Sequence, residues 1–179
     1  IFEATLPEHA LEHAIAALEH RVRPVVATSG LSDADLDRLA RACVDARLGG
    51  VFAPNLSVGA VVLMHLAAIA GRFFDHAEII EYHRDRKADA PSGTAFLLRD
   101  AMTRSGYDRP IDMSSSRAGA VPGTHTVGFD AASDTIELTH RARDRRGFAS
   151  GAVLAAEWLR GRRGWFFPQS LLTNPGSWP

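Results

Sequence analysis

Residues 1–56 alternate short apolar runs with helical stripes, and this rhythm constrains the fold more than any other feature. IFEATLPEHALEHAIAALEH reads as a short strand entering a helix. Pro7 suits a first helical turn, and Leu11, Ile15 and Leu18 recur at helical spacing. RPVVATSG is a β-branched run closed by a glycine turn, as a buried strand requires. LSDADLDRLARACVDARLG is a second helix, with Ser32 or Asp33 as its cap and Leu36, Leu39, Ala40 and Cys43 on one face. GVFAPNLS adds a third strand and turn. The order βαβαβ predicts a parallel sheet with covering helices.

The texture then changes. Residues 57–71 read as an apolar helix, AEIIEYH (77–83) as a strand and TAFLLRDAMTRSG as a helix ending at Gly106. SSSRAGAVPGTHTVGFDAASDTIELTHRARD has Gly and Pro turns with β-branched alternation. It predicts two or three antiparallel strands, among them THTVGF and DTIELTHRA. GFASGAVLAAEWLRG returns to helix, and WFFPQSLLTNPGSWP reads as an apolar hook with a polar tail.

Net charge is −1 over 179 residues, which gives no ground for a nucleic-acid partner or an anionic membrane surface. The stretch VGAVVLMHLAAIAG (58–71) is broken by His65 and is too short to span a bilayer. Cys43 is the only cysteine, so no internal disulfide forms, in keeping with a reducing compartment. The chain opens on a strand without an initiator methionine, so a further β-α segment is expected upstream.

Several patterns invite chemistry. HALEH (9–13) matches the H-x-x-E-H of some zinc peptidases, but no third ligand is evident nearby and a solvated helix face explains it. No metal site is assigned. Cys43 on its apolar stripe reads as a buried, inert thiol. VVATSG and FAPNLS each end a parallel strand, where ligands of open α/β sheets bind, and together they can underlie one extended cofactor. In EYHRDRKADAPSGTA (81–95), His83 ends a strand and Lys87 follows four residues on. An imidazole and an ammonium can hold or move a proton near neutral pH. The small residues before the next helix free N–H groups for an anion. The stretch therefore reads as a carboxylate pocket beside a proton donor, with a charged loop and a capped helix as the plain alternative. Arg117, His125 and the basic run 139–148 read mostly as surface residues, with a cluster facing a dianion as the sharper reading.

These residues resemble the 4-hydroxy-tetrahydrodipicolinate reductase (dihydrodipicolinate reductase) family. The family pattern E-x-H-H-x-x-K-x-D-A-P-S-G-T-A is met by Glu81, His83, Lys87, Asp89, Ala90, Pro91, Ser92, Gly93, Thr94 and Ala95. ATSG, APNLSVGA, R-x-G-x-x-G-x-H (Arg117, Gly119, Gly123, His125) and FASGAVLAAEWLRGRRGWF follow in the family's order. The chain departs from the family at three places: Arg84 stands for the second histidine, Ser114 for another histidine, and Leu56 for the usual Phe.

The resemblance implies the rear part of a Rossmann-like parallel sheet with an inserted mixed or antiparallel substrate and assembly domain. The expected divisions are 1–56 (partial dinucleotide-binding), 57–144 (substrate and assembly) and 145–179 (helix and tail returning to the first). It implies NADH or NADPH as cofactor, hydride transfer to a cyclic dicarboxylate in diaminopimelate and lysine biosynthesis, a homotetramer and a cytoplasmic location. It implies catalytic roles for His83 and Lys87, substrate contacts at Arg84, Gly93 and Thr94, and cofactor contacts at Ala27, Thr28, Ser29, Ala53, Pro54, Asn55, Leu56, Arg145 and Phe148. The family's Gly-rich phosphate turn and ribose-reading residue would precede Ile1, so this chain alone is expected to bind the dinucleotide weakly. The alternatives are a non-catalytic dicarboxylate-binding or oligomerising remnant, and a relative acting on another carboxylated imine.

Overall fold

Apolar residues on both faces of a strand demand cover on both sides, and the front of the chain supplies it. The computed structural model describes residues 1–172 and divides into two compact units, 1–57 with 148 onward, and 58–147. In the first unit, β1 (Phe2–Glu3), β2 (Val25–Val26), β3 (Gly49–Phe52) and β8 (Gly164–Phe166) form one parallel sheet in the order β1-β2-β3-β8. Adjacent residues point to opposite faces. Val25 and Val51 pack with Ala155, Trp158 and Leu159 of the segment around α5 (Arg146–Trp158). Val26 packs with Ala14 of α1 (Pro7–Glu19) and Leu39 of α2 (Asp33–Ala46).

Local chemistry starts and stops these elements. Pro7 occupies the first turn of α1. Ser32 caps α2 in a reciprocal capping box with Asp35. Cys43 is buried, and burial pushes its thiol up to about 11, which leaves it an inert space-filler. Two close approaches require glycine. A Cβ on Gly50 would lie 2.8 Å from both Cys43 Sγ and the Trp165 ring, and one on Gly151 would lie 1.7 Å from the Leu56 carbonyl oxygen. The sequence reading left β8 inside an apolar hook. Three residues between Arg163 and Phe167 are too few to show a period, and their strand character comes from pairing with β3. Residues 173–179 of that tail lie outside the described residues.

The second unit carries a four-stranded sheet in the order β5-β4-β6-β7: β4 (His76–His83), β5 (Ile111–Arg117), β6 (Thr124–Asp130) and β7 (Thr135–Arg141). β4 pairs antiparallel with β6, and β6 with β7, but β5 runs parallel to β4, so the sheet is mixed. α3 (Val58–Ala70) and α4 (Gly93–Arg104) cover one face. Leu63, Met64, Leu98 and Met102 pack there against Ile79, Val127 and Phe129.

Candidate active site

The inner face of the mixed sheet does not stay apolar. Along β4 the inward positions are Ala77, Ile79, Glu81 and His83, at a strict spacing of two. Along β6 they are Phe129, Val127 and His125. The register sets Glu81 directly opposite His125, with Ser115 of β5 on Glu81's other side and Arg117 beside His83. One end of the face is hydrocarbon; the other is a row of ionisable groups. The start of α4 docks on that polar end. Ser92, its N-cap, accepts from the Ala95 backbone and donates its own N–H to Glu81 Oε1 at 2.9 Å.

Glu81 is 1% exposed and yet ionised. Burial pushes its carboxyl up, but hydrogen bonds from Ser92, Arg117 and Ser115 outweigh that and hold it down to about 2. The Arg117 Nη2 and Ser115 Oγ donors lie 2.7 and 2.9 Å from Oε1. Oε2 accepts no hydrogen bond. It faces His83 Nε2 and His125 Nε2, each at 3.5 Å, and these two nitrogens lie 3.3 Å apart. Ser92 Oγ is 3.1 Å from His125 Nε2. Burial, and then the neighbouring His83, lower His125 to about 4. Burial also lowers His83; Glu81 opposes this, and Lys87 and Arg117 add to it. Both rings therefore rest neutral near pH 7.

His83 and Lys87 share this site, as the sequence reading expected of a catalytic pair, but their surroundings differ from a simple open pocket. The ring of His83 is almost buried, and a Cβ on Gly123 would come within 2.9 Å of it, so only glycine fits there. Lys87 follows a turn closed by its N–H on the Arg84 carbonyl, and its Nζ bonds Asp89 at 2.5 Å. Asp89 also takes the Gly93 N–H, so the Lys87 ammonium and one expected substrate contact are spent at rest on a carboxylate of the chain itself. Arg84 is exposed and Thr94 half-buried at the first turn of α4. Arg117 and His125 are a correction: His125 is buried and Arg117 half-buried against Glu81 rather than set on the surface. The missed signal was the alternation in EIIEYH and HTVGF, whose apolar phase runs on into Glu81, His83 and His125.

In the first unit, the ends of β2 and β3 lie side by side, and the Ala53 N–H bonds the Val26 carbonyl. Ala27, Ser29 and Pro54 flank this carboxyl edge with small or short side chains, and Gly30, at φ +88, adds none. Thr28 and Asn55 are buried. Thr28 Oγ1 lies within reach of Glu3 Oε1 and the Thr5 carbonyl, and Asn55 Oδ1 accepts the Ser57 N–H, so both side chains hold the turns in shape. Leu56 is also buried; Phe148, of the same unit, is 39% exposed. An uncluttered carboxyl edge of parallel strands is where ligands of open α/β sheets bind. Arg145 is an exposed residue of the second unit. Among the described residues no third ligand joins His9 and His13; the cluster of three ligating side chains there is Glu81, His83 and His125.

Comparison with known proteins agrees in both halves of the chain. Residues 1–56 match the family model "Dihydrodipicolinate reductase, N-terminus" and residues 59–172 the model "Dihydrodipicolinate reductase, C-terminus". The chain belongs to the dihydrodipicolinate reductase family. It is 34% identical to 4-hydroxy-tetrahydrodipicolinate reductase of Legionella pneumophila (strain Lens), over 88% of this chain and 72% of that protein. It is 37% identical to the reductase of that name from Laribacter hongkongensis, over 96% and 72%. A dipicolinate-bound dihydrodipicolinate reductase from Paenisporosarcina sp. TG-14 superposes with a TM-score of 0.82 at 26% identity, covering 93% of this chain and 70% of that one. The match to this reductase family spans the parallel sheet and the Glu81–His83–His125 site alike.

Proposed function

We propose that the chain reduces 4-hydroxy-tetrahydrodipicolinate to tetrahydrodipicolinate with NADH or NADPH, in diaminopimelate and lysine biosynthesis. The observation that carries this is the polar end of the mixed sheet, where His83, Lys87 and the start of α4 meet around a buried, ionised Glu81. Family membership across both halves favours this reading over a binding-only module. The nicotinamide cofactor supplies the hydride when bound. Ala27, Thr28, Ser29, Ala53, Pro54, Asn55 and Leu56 would hold it along the sheet edge, chiefly through backbone groups, with Phe148 and Arg145 as further contacts.

The substrate's carboxylate takes the place of Asp89 on Lys87 Nζ and the Gly93 N–H, with Thr94 beside it and Arg84 as an outer contact. Its negative charge favours protonation of the otherwise neutral His83. Glu81 Oε2, 3.5 Å from the ring, steadies the imidazolium. The substrate's 4-hydroxyl departs as water and leaves a conjugated ring double bond; hydride goes to one carbon of that bond and His83 delivers the proton to the other, with Lys87 as its electrostatic support. Arg117 and Ser115 keep Glu81 in place. The chain works as a homotetramer in the cytoplasm. In support of assembly, Tyr82 is exposed on the sheet face opposite α3 and α4. No described helix is long and apolar enough to cross a membrane.

The test follows NADH or NADPH oxidation with 4-hydroxy-tetrahydrodipicolinate, using the chain alone and a chimera carrying the residues of the Legionella relative that lie outside the match. Turnover that dipicolinate inhibits competitively is expected. Dipicolinate binding without turnover in either form would favour the binding-only module.

A further inference from the structure

The three atoms that face one another at the polar end of the sheet are Glu81 Oε2, His83 Nε2 and His125 Nε2. Their separations are 3.5, 3.5 and 3.3 Å. Nitrogen and oxygen ligands lie about 2.0–2.1 Å from a tetrahedral zinc ion, which puts neighbouring ligands about 3.3–3.4 Å apart. The triangle is thus close to one face of such a tetrahedron. The same separations exceed the ~2.7–3.2 Å of ordinary N–H···O hydrogen bonds. Oε2 accepts none, although Glu81 is 1% exposed. Two imidazole nitrogens that point at each other can share only one proton. The Ser92 hydroxyl also lies 3.1 Å from His125 Nε2 and can donate to it; even so, lone pairs outnumber protons among the three facing atoms, and the cluster is buried.

We propose that Glu81, His83 and His125 form a binding site for a zinc-class divalent cation, with three protein ligands and a fourth position open to an exchangeable ligand. Glu81 and His83 are held as ligands are, while His125 Nδ1 is buried without a hydrogen-bond partner. Ser92 N, Ser115 Oγ and Arg117 Nη2 all bind Glu81 Oε1, which turns Oε2 alone toward the ion. The His83 ring also bonds the Pro122 backbone, which fixes its plane. Two imidazoles and one carboxylate favour zinc or cobalt over magnesium or calcium, which take all-oxygen shells. The ion and the proton step compete for one lone pair. Given the proton role proposed above for His83, bound zinc blocks turnover, and a freely available metal becomes an inhibitor read out at the active site.

The decisive measurement is a cobalt titration of the chelator-stripped protein, followed by zinc competition against a chromophoric chelator. One equivalent of cobalt with the intense visible bands of a four-coordinate ion is expected, displaced by zinc and unaffected by magnesium. His125→Gln should weaken zinc binding by at least about 100-fold, since even outer-shell partners are worth 10–100-fold. The double variant His9→Ala/His13→Ala, on α1, should keep the site. Absence of the four-coordinate spectrum, or its survival in folded His125→Gln, overturns the proposal. Should His125→Gln fail to fold, nitrogen-15 spectra of the parent decide. Nε2 of His83 and His125 must shift together at one equivalent, and shifts confined to His9 and His13 overturn the site. Zinc bound at the triad without loss of turnover keeps the ion site and removes His83 from the proton step.

Discussion

On the inner face of the mixed sheet, the same three strands build two different environments within two residues of each other. Ala77, Ile79, Val127 and Phe129 face α3 and α4 as hydrocarbon. One pleat farther, Glu81, His83, Ser115 and His125 occupy equivalent inward positions as ionisable or hydrogen-bonding groups. Pleat and register are shared, and Glu81, His83 and His125 are as buried as the apolar residues, with Ser115 at the exposed rim. The apolar end gains from removing surface from water, and the polar end tolerates burial because Ser92, Ser115 and Arg117 satisfy one carboxylate oxygen. Stability and chemistry are thus written on one face in adjoining stretches, and they should separate under mutation.

The largest effect is expected at the polar end. His83→Gln should lower turnover by ~10²–10⁴-fold, as for loss of a positioned general acid, with a much smaller change in substrate affinity. Near-parental kcat would move the proton to Lys87 or water. At the apolar end the effect reverses. Phe129→Ala should cost about 3–5 kcal/mol in denaturant unfolding, while the folded fraction keeps its Kd for dipicolinate. A lost Kd with an unchanged midpoint would mean that the two ends are not separable.

Acid sharpens the same contrast. The unfolded imidazole takes up a proton near its ordinary value of 6.5, but His125 in the fold does so only at about 4. The unfolded state therefore binds more protons in that window, and stability falls as pH drops from about 6.5 to 4. Glu81 behaves alike between its ordinary 4.5 and about 2, since the folded carboxyl stays ionised longer. In chelator-treated buffer the loss across the first window should reach a few kcal/mol, on the order of the His125 shift. A flat profile from pH 6.5 to 4 in chemical unfolding would show that His125 titrates freely.

Smaller effects probe the rim. Lys87→Ala should weaken dipicolinate binding by about tenfold or more, the loss of one charge-assisted hydrogen bond; an unchanged Kd by calorimetry would rule it out as a contact. Arg84→His, which restores the family residue at an exposed position, should leave turnover within roughly tenfold.

The front half of the fold was legible because its signals are local. Val25 and Val26 mark a buried strand, Ser32 caps its helix, and the helical stripes need no partner to be read. The DAPSGTA loop and the helix after it were legible for the same reason. β5 was harder: IDMSSSR is polar, and it is a strand because β4 lies parallel beside it. β8 is too short to announce itself. The burial of Glu81 and His125, and the placing of Arg117 against them, depend on register. Each strand alone shows an alternation, but only their pairing tells that the inward phase of one meets the inward phase of another. His83 and Lys87 could be singled out by residue type and spacing; their confinement by Glu81, Gly123 and Asp89 could not.

Gly151 shows a different kind of constraint. Its Cα rests so near the Leu56 carbonyl that a methyl group would fall 1.7 Å from the oxygen. Ser150 and Ala152 on either side both carry a Cβ. A slip of α5 by one residue in either direction would drive one of them into that carbonyl. The missing side chain thus acts as a detent: it indexes the helix to a single seating on the turn after β3. In a library that varied α5 freely, position 151 would be the one that comes back unchanged.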